Sequence, residues 1–186
     1  GATILVRRAA LAHDLERYRV ASSALELAQL CAREGEAEPG LFGWLEETLD
    51  LLVAGQVPPA LVGIHSDLAL LAVTGLEPAL LHCASCGRRA EETREVPFAP
   101  AAGGRLCNAC AAAARARGRA LEFLPSALVR VADSLRQATP TTLAHTRLEA
   151  RLAERVRAFV GRFLEYHLEA RLRCRRLAPT VPHGSA

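Results

Sequence analysis

The sequence has no lysine and no methionine, a single asparagine, and few aromatic residues: one Trp, two Tyr and five Phe. Without lysine, all 23 basic side chains are arginine. We assign that bias, and the scarcity of Asn, to genomic base composition rather than folding physics. Methionine is missing even at position 1, so the chain is expected to begin downstream of a native start. The longest apolar run, near Leu68–Leu76, is too short to cross a bilayer and follows His65 and Asp67 closely. No signal-peptide pattern is visible. Nor is there a G-x-S-x-G, a phosphate-binding glycine loop, an H-E-x-x-H or a repeat of 20–50 residues. An enzyme is therefore not expected, nor a membrane partner or small-molecule substrate.

What is present is helix material. The chain of 186 residues is 51% hydrophobic, enough for a substantial core without covalent staples. Charge is divided unevenly. Residues 1–82 hold 5 Arg and 11 acidic residues, a net of −6; residues 83–186 hold 18 Arg and 9 acidic residues, a net of +9. The second half either presents a basic face or spreads its arginines over solvated helix surfaces.

Apolar spacing predicts the elements. Thr3, Ile4, Leu5 and Val6 read as one strand within Ala2–Arg7. Leu11, Leu15, Tyr18, Ala21, Leu25, Ala28 and Cys31 form one face of a helix. After the break at Gly35 and Pro39-Gly40, a second helix carries Phe42, Leu45, Leu49, Leu52 and Val53 and ends near Gly55. Pro58-Pro59 starts a third, whose apolar second half suits the centre of a bundle. Pro125 suits the first turn of a helix to Gln137. Thr139-Pro140 interrupts, and one long amphipathic helix is expected from there to about Arg176. The tail after Pro179 is expected to be disordered.

Residues 79–112 differ. Cys83-Ala-Ser-Cys86-Gly87 and Cys107-Asn-Ala-Cys110 are separated by twenty residues, with Pro97, Pro100 and Gly103-Gly104 between them, which read as short strands around a turn. A helix should follow as far as Gly118. C-x2-C pairs at this distance read as a zinc site, because each tight turn aims two sulfurs at one ion. Two disulfides are the alternative; iron–sulfur clusters use other spacings. Four thiolates leave no coordination position vacant, so Zn²⁺ here is structural. The deaminase pattern, H-x-E before P-C-x-x-C, fails: His167-Leu168-Glu169 follows the cysteines, and no Pro precedes either pair. His82, beside Cys83, is an alternative ligand.

The other reactive-looking residues have bland readings. Cys31 sits on a helical stripe as a small apolar residue. Cys174 lies among Arg171, Arg173, Arg175 and Arg176, which would depress its pKa if it were exposed. His65-Ser66-Asp67 has the residues of a triad, but adjacent residues on a helix point apart.

The order of these motifs carries a resemblance. Leu25-Glu26-Leu27 is followed by Leu41-Phe42, then Leu-Leu-Ala-Val-Thr-Gly-Leu-Glu-Pro (Leu70 to Pro78) leading into Cys-x-x-Cys-Gly. Gly103-Gly104-Arg105-Leu106-Cys107 and a late Tyr166-His167-Leu168 complete it. The chain resembles the bacterial RecO family of DNA repair and recombination mediators over roughly residues 3–178. The resemblance implies a mainly α fold: a helical bundle (10–78 and 119–178) with an inserted zinc-ribbon-like finger of four cysteines (79–118). Residues 1–9 would be the last strand of an N-terminal OB-fold, and 179–186 a tail. It carries over Cys83, Cys86, Cys107 and Cys110 as ligands of one zinc. It implies binding to single- and double-stranded DNA, strand annealing, and loading of RecA with RecR on DNA coated by single-strand-binding protein (SSB). It also implies recognition of the SSB C-terminal tail, and a cytoplasmic, nucleoid-associated location. No family motif fixes the basic contacts. By charge, Arg105, Arg115, Arg117 and Arg119 beside the finger, and Arg171, Arg173, Arg175 and Arg176 at the end, are the candidates for DNA or the SSB tail. A zinc-ribbon interaction module of a transcription or scaffold factor is the alternative function.

Overall fold

The computed structural model describes residues 8–89, 91 and 93–176, with side chains up to residue 174. The strand expected at 2–7 and the tail after Pro179 lie outside the described residues.

A 3₁₀ turn, Ala9–His13, precedes α1, Leu15–Cys31. The expected continuous helix from Leu11 is divided by Asp14, whose extended backbone and carboxylate cap α1 by accepting the Arg17 N–H at 3.1 Å. The buried face of α1 is the expected one in part. Ala21 is buried and Ala28 and Cys31 pack on the core as expected, but Ala24 and Leu27 join them, while Leu15, Tyr18 and Leu25 are exposed. Where α1 faces α3, Val20 lies beside Gly63, whose Cβ would stand in ordinary contact 3.5 Å from the Val20 methyls.

α2, Pro39–Ala54, ends at Gly55 in the left-handed conformation. It buries Leu41, Trp44, Thr48 and Leu52, whereas Phe42 and Val53, expected inside, are exposed. α3, Pro59–Val73, is the buried centre that its apolar sequence predicts. Val62, Ile64 and Leu68 have no exposed surface, and α3 packs on α1, α2, α5 and α7. Its polar residues are satisfied within the core. Trp44 Nε1 donates to the Ser66 carbonyl at 2.7 Å, and the Thr48 and Ser66 hydroxyls lie 2.8 Å apart.

After α3 the chain makes a three-stranded antiparallel sheet, order β2-β1-β3. β1 is Glu95–Ala99, β2 Gly104–Arg105 and β3 Glu122–Pro125; a 3₁₀ turn, Pro100–Ala102, joins the first two. Phe98 faces Arg105 on one side and Glu122 on the other. Between β2 and β3 lies α4, Asn108–Ala116. Pro125 ends β3 instead of opening a helical turn, and α5, Ser126–Gln137, starts one residue later.

The long C-terminal helix is three pieces. Pro140 starts α6, Pro140–His145, instead of merely interrupting, because its missing N–H costs nothing at a first helical position. α7, Ala150–Leu168, stops at Glu169, which takes the left-handed conformation at φ 49°. α8, Arg173–Arg176, returns to α1: the Glu26 carboxylate accepts the Arg173 and Cys174 N–H groups at 2.8 and 2.9 Å. The chain is thus mainly helical, with a small sheet docked on the bundle. No described helix is long and apolar enough to cross a membrane.

Candidate metal centre

The four cysteines converge. The Sγ atoms of Cys83, Cys86, Cys107 and Cys110 all lie within 4.8 Å of one another. A tetrahedron of thiolates at a zinc–sulfur distance of about 2.3 Å has edges of about 3.8 Å. Cys86 and Cys107 sulfurs are 3.9 Å apart, close to that edge and far beyond a disulfide bond. The geometry favours a metal over the two-disulfide alternative, and all six cysteines are free thiols.

Local structure aims them. Arg89 bridges back to His82 around the first pair, and the Gly87 N–H closes the turn on the Cys83 carbonyl at 2.8 Å, with Gly87 at φ 72°. The second pair uses a helix. Cys107 is the N-cap of α4 and Cys110 lies in its first turn. The two halves are zipped together just behind the sulfurs. Ala79 N–H donates to Gly103 O at 3.0 Å, Arg105 N–H to Ala79 O at 2.8 Å, and Ala84 N–H to Arg105 O at 2.8 Å.

That zipper explains Gly103-Gly104. Gly104 has φ 144°, and a Cβ there would lie 2.4 Å from Ala79 O and 2.7 Å from Ala79 N, both backbone atoms. Gly104→Ala is expected to destabilise the finger by about 3 kcal/mol, from a strained backbone and an overpacked contact. Gly103→Ala, at φ 83° with nothing within 4 Å, should cost only about 1 kcal/mol. Denaturant unfolding of the two variants checks the order; equal effects would overturn it.

The sulfurs differ electrostatically. The Arg88 side chain and N–H beside Cys86 hold that thiol down to about 6. The neighbouring Cys107 sulfur pushes Cys110 up to about 11. Burial opposes ionisation of Cys83, but N–H groups of Cys107, Cys86 and Ser85 aimed at its sulfur bring the balance below the ordinary value. His82 is not among the converging groups.

The proposed basic residues separate. Arg105 is buried, and its guanidinium donates to the Glu91 carbonyl inside the finger. Charge alone marks it as a surface contact; the structure gives it to the fold. Arg115, Arg117 and Arg119 are exposed together where α4 ends at Gly118. Arg171 and Arg173 are exposed near α8, while the side chains of Arg175 and Arg176 lie outside the described set. Cys174 keeps its bland reading: it is only partly exposed, and burial and the Glu26 carboxylate raise its pKa. His65, Ser66 and Asp67 do point apart: His65 Nδ1 bonds the Leu135 carbonyl at 2.8 Å, Ser66 the Thr48 hydroxyl, and Asp67 is buried.

Sequence reasoning missed Phe123 and β3, because Glu-Phe-Leu-Pro is too short to show alternation. Arg88 beside Cys86 was equally unannounced, although its place two residues after a ligand is a usable signal.

Known proteins resemble this chain in sequence. The family model described as "Recombination protein O C terminal" matches residues 12–176. The DNA repair protein RecO of Desulforamulus reducens is 32% identical over 165 residues, covering 89% of this chain and 62% of that protein. Those of Desulforudis audaxviator and Moorella thermoacetica are 34% and 32% identical over 160 and 167 residues, covering 86% and 89% of this chain and 61% and 60% of theirs. The chain spans less than two thirds of the length of these relatives.

Proposed function

The chain belongs to the recombination protein O (RecO) family, and on that footing we propose that it serves DNA repair as a non-catalytic mediator of recombination. It binds single- and double-stranded DNA, anneals complementary strands, and works with RecR to load RecA onto DNA coated by SSB, in the cytoplasm at the nucleoid. The observation that carries this reading is the family match over residues 12–176. The structure adds chemistry to it. Cys83, Cys86, Cys107 and Cys110 hold one Zn²⁺, which supplies rigidity, since four thiolates leave no position for water or substrate. The arginines at the end of α4 supply phosphate contacts.

Salt dependence tests the DNA reading. With three phosphates engaged by Arg115, Arg117 and Arg119, affinity for a single strand should fall about 20-fold between 50 and 200 mM salt. Fluorescence anisotropy with a labelled oligonucleotide measures it. Absence of binding at low salt, with protein partners still captured through the finger, would favour the interaction-module alternative.

A further inference from the structure

Phe123 is 45% exposed on β3, although its register partner Pro97 and its neighbour Leu124 are buried. It projects from the face of the sheet opposite the bundle. On the inner face, Phe98 packs edge-on against Phe159 and Phe163 of α7. On the outer face, the Arg115 guanidinium of α4 sits over the Phe123 ring, its central carbon 4.9 Å from the ring centroid. Among the described residues, no carboxylate forms an ion pair with Arg115, Arg117 or Arg119. Lack of a carboxylate partner is shared with other exposed arginines, such as Arg130 on α5 and Arg151 and Arg155 on α7; the ring beside Arg115 is what sets this group apart. Glu122, the acid next to Phe123, is neutralised by Arg162 of α7. The patch is therefore one aromatic ring flanked by three cations without carboxylate partners among the described residues.

We propose that Phe123 and Arg115 form a stacking platform for a base of single-stranded DNA, with Arg117 and Arg119 holding the adjoining phosphates. This rests on the nucleic-acid reading above and assigns it a place. Charge complementarity selects the occupant. A protein partner seeking apolar burial would find a single ring. A polyanion carrying planar bases finds both of its needs at the end of α4 and on a neighbouring strand. A base stacks on the phenyl ring or on the guanidinium plane above it. Bases inside a duplex have no free face, so the platform distinguishes single from double strands, whereas the arginines alone do not.

The test uses the metal-loaded chain, a labelled 20-mer of thymidylate, and a blunt duplex of the same length at one salt concentration. Phe123→Ala is expected to weaken binding of the single strand about tenfold and to leave the duplex within about twofold. Phe123→Trp should keep single-strand affinity and gain a fluorescence that the oligonucleotide quenches; the native Trp44 is only 5% exposed and contributes a steady background. Unfolding curves of both variants check that the fold is retained. Unchanged single-strand affinity in Phe123→Ala, or equal loss on both DNAs, would overturn the platform while leaving DNA binding in place. If the unaltered chain binds neither DNA, the nucleic-acid reading itself falls, and the platform with it.

Discussion

Phe98→Ala will lower the free energy of unfolding by about 4 kcal/mol, the middle of the range for an emptied aromatic site. Phe98 has no exposed surface. Its ring meets Phe159 at 5.0 Å and 83°, and Phe163 at 5.7 Å and 71°, both edge-on. Such pairs add to the area term, because ring edges are positive and faces negative. More than volume is at stake. Phe98 lies on β1, yet its cluster is that of the bundle, with Val96, Leu124 and Leu80 beside it. It is the bolt between sheet and helices. Phe98→Leu should lose only about 1.5 kcal/mol, since it keeps most of the volume. Chemical denaturation of both variants, with metal content measured in parallel, separates docking from metal binding. A cost below about 1 kcal/mol for the alanine variant would mean that the sheet is held by something else.

Metal removal should have a larger but more local effect. The finger's own core is Cys83, Ala99, Leu106, Ala111 and Ala114, mostly small side chains and one of them a ligand. That is too little apolar surface to hold two turns and a short helix together. Binding of a structural metal supplies folding free energy outright, of order 10 kcal/mol for isolated zinc-finger peptides at neutral pH. Chelation, or Cys83→Ser, is therefore expected to release the ion and open the two cysteine turns and α4, while β1, α3 and the helices around them stay folded. Hydrogen exchange reads both regions at once. The amides of Ala84, Leu106 and Ala111, each bonded within the finger, should lose protection, and those of Ile64 and Leu68 should keep it. Uniform loss everywhere would show that finger and bundle are one cooperative unit. No loss at all would remove the metal from the folding argument.

The convergence of the four cysteines was the most legible part of the sequence. Two C-x2-C turns constrain sulfur positions so tightly that spacing nearly fixes geometry, and Gly87 and Gly104 sit where backbone conformation demands them. α3 was legible for a different reason: a helix that is apolar all round has no wrong face. α1 was read rightly at Ala21 and wrongly at Leu15, Tyr18 and Leu25, because large apolar residues dominate a periodicity argument, whereas Ala24 and Leu27 complete the buried face. The break after α7 left no trace, since Glu169 takes a conformation that sequence associates with glycine. Nor does charge counting separate an arginine that binds a partner from one the fold consumes. Arg105 and Arg115 look alike on paper, yet one is enclosed beside Glu91 and the other lies open over a ring.

Glu26 has a consequence for the order of assembly. Its carboxylate is met by the N–H groups of Arg173 and Cys174, 147 and 148 residues further along the chain. During synthesis, α1 leaves the ribosome long before its partners are made. Widening such a loop costs little extra entropy, but contacts this distant in sequence form late. A nascent chain halted after α7 would hold the bundle's central helix and its sheet and still leave the Glu26 carboxylate in water. The join between α1 and α8 thus forms only after residue 174 has been made and released, later than the bundle's central helix and the sheet.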